Sequence, residues 1–115
     1  MFKVNWTETA TTTYEELQSD AKKAGGGRKK KGKTKSSRAE GLFKQVAKTI
    51  NFLSQNPKHP GLQTHPYSSM EHPYVRKEKV FEAYAQNDTS GAYRVFWCYG
   101  PGQGEITIIA ITPHP

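Results

Sequence analysis

Hydrophobic and polar positions are most ordered in the last third of the chain, residues 79–115. Three runs rich in β-branched and aromatic residues, at 80–85, 93–99 and 106–111, are separated by Asn87-Asp88-Thr89-Ser90-Gly91 and by Gly100-Pro101-Gly102-Gln103-Gly104. Both separators are strong turn chemistries, so the runs predict strands. The connections are too short for the crossover that parallel strands need, which predicts an antiparallel meander. Within 93–99, alternation puts Tyr93, Val95, Trp97 and Tyr99 on one face and Arg94, Phe96 and Cys98 on the other. A charged residue here must reach solvent, a carboxylate or a phosphate. One structural partner is Glu82, across the strand pair.

Upstream, Phe2, Val4 and Trp6 alternate with Lys3 and Asn5, predicting a short N-terminal strand. Thr12 and Thr13, with Glu15 and Glu16 three residues on, have capping-box spacing and open a first helix. Tyr14, Leu17 and Ala21 share one face of it, and Gly25-Gly26-Gly27 is expected to end it. Residues 25–36, GGGRKKKGKTKS, read as a flexible basic linker. Ser37-Arg38-Ala39-Glu40 is a second capping box, and Leu42, Phe43, Val46, Ile50 and Leu53 form the clearest amphipathic stripe. This predicts a helix from about Arg38 to Gln55, packed on one sheet face, with Lys44, Gln45, Lys48 and Asn51 in water. Residues 56–77 have four prolines and no period. Every histidine in the chain precedes a proline, which favours extended geometry and displays the imidazoles from loops and strand ends. Surface or packing roles are the default for them, since their spacing matches no metal-ligand pattern.

Composition then narrows the classes. A chain of 115 residues suits one domain, 1–115, with one modest core. Its mean hydropathy of −0.82 is low for a compact fold, which points to an unpacked segment. Residues 22–38 hold nine of the 17 Lys and Arg and none of the ten acids, so the net charge of +7 belongs to that segment. The tract, with Lys29, Lys30 and Lys31 at its centre, is either a solvated loop or a non-specific tether for phosphate backbones. No segment approaches a membrane span or a secretion signal, and the single Cys98 agrees with a reducing compartment, so a cytoplasmic location is expected. No cofactor or metal site is legible.

The tract Ala92-Tyr93-Arg94-Val95-Phe96-Trp97, the Gly-rich turn, and the last strand running into Pro113-His114-Pro115 resemble the C-terminal half of the RelE/ParE superfamily of bacterial toxins. The order strand, two helices, three-stranded meander extends the resemblance to all but the basic linker. It implies an α+β fold with the N-terminal strand in the sheet, the helical pair on one face and the other face concave and open. It also implies a toxin held by an antitoxin protein. Many members are metal-independent endoribonucleases that cut mRNA on the ribosome. On that pattern Arg94 is the phosphate clamp and His114 an acid or base, where a frayed terminus is the plain alternative. The lysine pair some members carry on the first meander strand is replaced by Glu82 and Tyr84. Arg76, Lys77 and Lys79 either substitute for it or edge the sheet, and Glu78 or Glu82 is the carboxylate available as base. A second reading stays open, a non-catalytic relative that binds DNA gyrase or another protein.

Overall fold

A computed structural model of the protein describes residues 1–30, 38–86 and 91–113. In chain order these form strand β1 (Lys3–Trp6), helix α1 (Glu8–Lys30), helix α2 (Arg38–Gln55), a 3-10 turn at Pro60–Leu62, and strands β2 (His65–Pro66), β3 (Phe81–Tyr84), β4 (Tyr93–Tyr99) and β5 (Glu105–Pro113). The strands make one sheet in the order β1-β5-β4-β3-β2. The predicted meander is present, with β3, β4 and β5 antiparallel. β1 pairs with β5 in parallel, Val4 opposite Ile106. The two helices between β1 and the meander supply the long connection that a parallel pairing of distant strands needs.

The start of α1 differs from expectation. Thr7, not Thr12 or Thr13, caps it: Ala10 N donates to Thr7 Oγ1 at 3.1 Å. Thr7 also donates from its backbone to Ile108 O at 3.1 Å and from its hydroxyl to Ile109 O at 2.6 Å. A cap tied to the neighbouring strand outweighs a capping-box spacing that is purely local. The end of α1 differs too. The helix runs through the glycine triplet to Lys30. A glycine costs a helix only about 1 kcal/mol against alanine. At Gly25 the missing side chain is useful, because a Cβ there would stand 3.2 Å from Glu40 Oε2 of α2. The expected flexible linker therefore begins inside a helix, and residues 31–37, with Ser37 of the second capping box, lie outside the described residues.

α2 has the predicted bounds. Val46, Thr49, Ile50 and Leu53 are buried, while Lys44, Gln45, Lys48 and Asn51 are exposed. Its apolar face meets Ala83 of β3, Val95 and Trp97 of β4, Ile106, Ile108 and Ile111 of β5, and Ala10 of α1. Full burial of such a side chain stabilises the fold by roughly 1.5–3 kcal/mol. The spacing 106, 108, 111 breaks simple alternation, and a bulge explains it: Phe96 pairs with Ala110 but Trp97 with Ile108, leaving Ile109 as the extra residue. The β4–β5 turn needs positive φ at Gly100 (109°) and Gly104 (72°).

The predicted strand faces hold: Val95 and Trp97 point to the helices, and Arg94, Phe96 and Cys98 are the other set. Cys98 is fully buried, and burial pushes its thiol up from 9.0 to about 11. Such a shift makes the neutral thiol the folded form, so its contribution to stability is complete below about pH 9 and is lost as pH rises through about 11. Replacing Cys98 by Ala should therefore flatten the fall in melting temperature across that interval, measured against the parent protein. At the α1 cap, Thr7→Ala should lower unfolding free energy by about 1–2 kcal/mol in urea titration, the larger end reflecting the lost bond to Ile109.

Candidate active site on the sheet face turned from the helices

Residues that alternate away from the core on β3 and β4 are Glu82, Tyr84, Arg94, Phe96 and Cys98. The register sets Tyr84, not Glu82, directly opposite Arg94, and Glu82 opposite Phe96. Glu82 is thus the diagonal neighbour of Arg94, two residues along β3 from the position directly opposite. The Arg94 guanidinium carbon sits 4.0 Å from the Tyr84 ring centroid, and Nη1 donates to Ala92 O at 3.1 Å and Tyr93 O at 3.2 Å. A guanidinium stacked on an aromatic face and bonded to carbonyls keeps its charge in low dielectric. Both Arg94 and Glu82 are 1% exposed.

Glu82 receives a bond that sequence reasoning missed. His65, on the two-residue edge strand β2, stands opposite Glu82, and its Nε2 lies 2.7 Å from Oε1. The other ring nitrogen, Nδ1, lies 3.0 Å from Gln63 O. Gln63 O can only accept, so Nδ1 carries a hydrogen, while Oε1 accepts from an Nε2–H or donates to a bare Nε2 when the carboxyl holds the proton. The arrangement describes an imidazolium against a carboxylate, or a neutral ring sharing the Glu82 carboxyl proton. The His65 side chain is 43% exposed, so proton exchange with water is open on its outer side. Its ring also stands edge-on to Tyr84, centroids 5.6 Å apart. His65, Glu82, Tyr84 and Arg94 therefore form one contiguous polar and aromatic cluster. The only signal for His65 in the chain was a histidine before a proline, shared by every other histidine.

The face is less open than expected. Tyr67 packs on Phe96 at 4.7 Å, and the Tyr74 hydroxyl lies 3.0 Å from Thr107 Oγ1. Phe96 and Cys98 need cover from water, and residues of the β2–β3 connection provide it. His72 is buried in that connection: Nε2 donates to Tyr99 O at 2.9 Å, while Nδ1 accepts from Tyr74 N and Val75 N. It is a structural histidine, as the default had it.

Of the remaining expected site residues, Glu78, Arg76, Lys77 and Lys79 do not join the cluster. Glu78 precedes β3 at the Tyr99 end of the sheet, beside a cavity of about 610 Å³ that Lys77 and Lys79 also line. Arg94 is five residues along β4 from Tyr99, roughly 17 Å at 3.3 Å per residue. Glu78 is therefore out of reach as a base for chemistry at Arg94, because the β2–β3 connection delivers it to the opposite end. Arg76 is exposed and pairs with Glu71 at 3.5 Å. Lys29 and Lys30 belong to the backbone of α1, and Lys31 and His114 lie outside the described residues. Among the described residues there is no group of three side chains arranged to hold a metal, and no helix is long and apolar enough to cross a membrane.

A mixed sheet of this order, with a helical hairpin on one face, matches solved structures over nearly the whole chain. The YoeB/ParE toxin from Agrobacterium tumefaciens superposes with a TM-score of 0.62 at 11% identity, covering 98% of this chain and 99% of that one. RelE from the RelE-RelB complex of Pyrococcus horikoshii gives 0.56 at 12% identity, covering 97% and 93%. YafQ from E. coli gives 0.51 at 10% identity, covering 99% and 94%. This chain has the RelE/ParE fold. No family model matches the sequence, and no curated protein does. On the RelE/ParE fold of this chain, the Glu82–His65 pair and the Tyr84–Arg94 stack occupy neighbouring positions on the face that the helices leave free.

Taking one hydrogen-bond partner from a buried carboxyl costs about 1–3 kcal/mol. His65→Ala should lower stability by that amount. In a double-mutant cycle in urea, the loss should shrink when Glu82 is already Gln.

Proposed function

We propose that this protein is the toxin of a toxin–antitoxin pair and acts as an endoribonuclease on mRNA at the ribosome. The observation that carries the reading is the convergence of Glu82, His65, Tyr84 and Arg94 on the helix-free face, two of them charged groups held 1% exposed. Burying charge is costly unless bonds compensate it, and clusters of that kind mark functional sites. The RelE/ParE fold and the arginine on β4 support the same reading.

In this proposal Glu82 takes the proton from a ribose 2′-OH, freeing its oxygen to attack the adjacent phosphate. Arg94 turns from the Ala92 and Tyr93 carbonyls to hold the charge that builds on the phosphate oxygens. His65, in contact with Glu82, positions the carboxylate and exchanges its proton with water. His114 supplies the proton to the leaving 5′-oxygen, as the family resemblance suggests. The basic residues 28–31 add non-specific attraction to the RNA backbone. An antitoxin protein is the expected partner, in keeping with the complex in which the P. horikoshii RelE was solved.

The near-complete burial of Arg94 and Glu82 favours a second reading, in which the cluster is structural and the protein acts by binding another protein such as DNA gyrase. Primer extension on a defined mRNA in a reconstituted translation reaction separates the two. The ribonuclease reading expects cuts within translated codons that Arg94→Ala or Glu82→Gln each weaken by about 10²-fold or more, with both variants folded by circular dichroism. Intact mRNA at micromolar protein would move the assignment to the second reading.

A further inference from the structure

The connection between β2 and β3 lies over part of the helix-free face and is itself lightly anchored. Among residues 67–79 only His72 is buried, with Tyr67 and Met70 half-buried and the others exposed. The segment holds no helix or strand, and none of its residues belongs to the core beneath the helices. Under it the sheet is closed off from water: Phe96 is 1% exposed, and Cys98 and Thr107 are 0%. Their burial thus depends on a stretch of chain that buries little of itself.

The ties that hold this stretch are few. At its start the Tyr67 ring lies on Phe96, centroids 4.7 Å apart, and its backbone N–H donates to Val80 O at 2.8 Å. In its middle His72 donates from Nε2 to Tyr99 O at 2.9 Å. Beside it the Thr107 hydroxyl, opposite Cys98 in the β4–β5 ladder, donates to Gly100 O at 2.9 Å. A hydroxyl has one hydrogen, so Tyr74 supplies the hydrogen of the 3.0 Å bond between the Tyr74 and Thr107 side chains. A segment with few buried apolar contacts opens at a lower free energy than the whole molecule. Lifting this one leaves the packing of α2 on β3, β4 and β5 in place, because that core takes no residue from it. Phe96 stands opposite Glu82 and two residues along β4 from Arg94, so the surface uncovered is continuous with the polar cluster.

We infer that residues 67–79 form a cover that opens locally while the rest of the fold stays intact, and that its opening admits single-stranded RNA to the face holding Glu82 and Arg94. For what it admits, the inference rests on the ribonuclease reading; the opening itself does not. The uncovered Phe96 ring offers a stacking surface for a base beside the phosphate held at Arg94.

Cys98 is the one cysteine of the chain, so its modification reports the opening. N-ethylmaleimide should label Cys98 in the folded protein, read by mass spectrometry, through the open cover. Tyr74→Phe removes one tie and should speed labelling about 3- to 10-fold. Thr7→Ala acts at the α1 cap, which shares no tie with the cover. It should raise the globally unfolded population about 5- to 30-fold and leave the labelling rate unchanged. The cover is overturned if Thr7→Ala speeds labelling as much as it raises unfolding, if Tyr74→Phe has no effect, or if labelling waits for unfolding in urea. Primer extension tests what the opening admits. Tyr74→Phe should raise the initial cleavage rate by the same factor as labelling, because the binding-competent fraction grows by that factor. Unchanged cleavage beside faster labelling would remove the cover as a gate for RNA. A parent protein that labels but does not cleave keeps the cover and removes the ribonuclease reading, and RNA with it.

Discussion

The bulge at Ile109 is the constraint on which the rest of the sheet depends. Strict alternation along β5 would turn either Ile106 and Ile108 or Ile111 away from the helices. One extra residue in the strand lets all three face the core while β4 keeps perfect alternation opposite. Thr7 holds the bulge in place, because its hydroxyl donates to the Ile109 carbonyl and accepts from the first turn of α1. The junction of β1 with α1, the parallel pairing of β1 with β5, and the entry of α1 over the sheet therefore meet at one side chain. A core residue at each of these strands follows from that junction.

With the helix side settled, the opposite face inherits the residues that do not fit a core. Arg94 cannot turn inward without displacing Val95 and Trp97, so it lies against Tyr84 and bonds to backbone carbonyls. Glu82 follows for the same reason, and the edge strand β2 brings His65 to it. Charge held this way has a structural cost that a purely architectural sheet has no need to carry, since apolar residues of similar volume would pack as well. This imbalance, more than the fold, gives the face its functional interest. The fold itself supports several activities, and a site has to be argued from its own residues.

The connection from Asn56 to Val80 has the largest part in shaping the surface, although it holds little regular structure. It supplies His65 to the polar cluster, lays Tyr67 and Tyr74 over the apolar strip beside it, and anchors itself through the three hydrogen bonds of buried His72. It also walls, with Lys58, His59 and Thr64, a cavity lined by Phe81, Trp97 and Tyr99. The prolines along it limit the backbone and remove donors, which suits a segment that must hold a path without a ladder of its own.

Periodicity by itself determined the meander, the two faces of β4, the bounds of α2 and its buried stripe, and it singled out Arg94 as the residue out of keeping with its strand. Those are properties of neighbours in sequence, where repeat, turn chemistry and rotamer preference act over a few residues. The candidate site was legible only in part for the same reason: Arg94 and Glu82 stood out as charges on strands, whereas His65 looked like any other histidine before proline. Tertiary structure decided the parallel place of β1, the bulge, the continuation of α1 through its glycines, the separation of Glu78 from Arg94, and the meeting of His65 with Glu82. Each of these depends on registers between segments far apart in the chain, set by the summed packing of the whole sheet, and no local pattern encodes that sum.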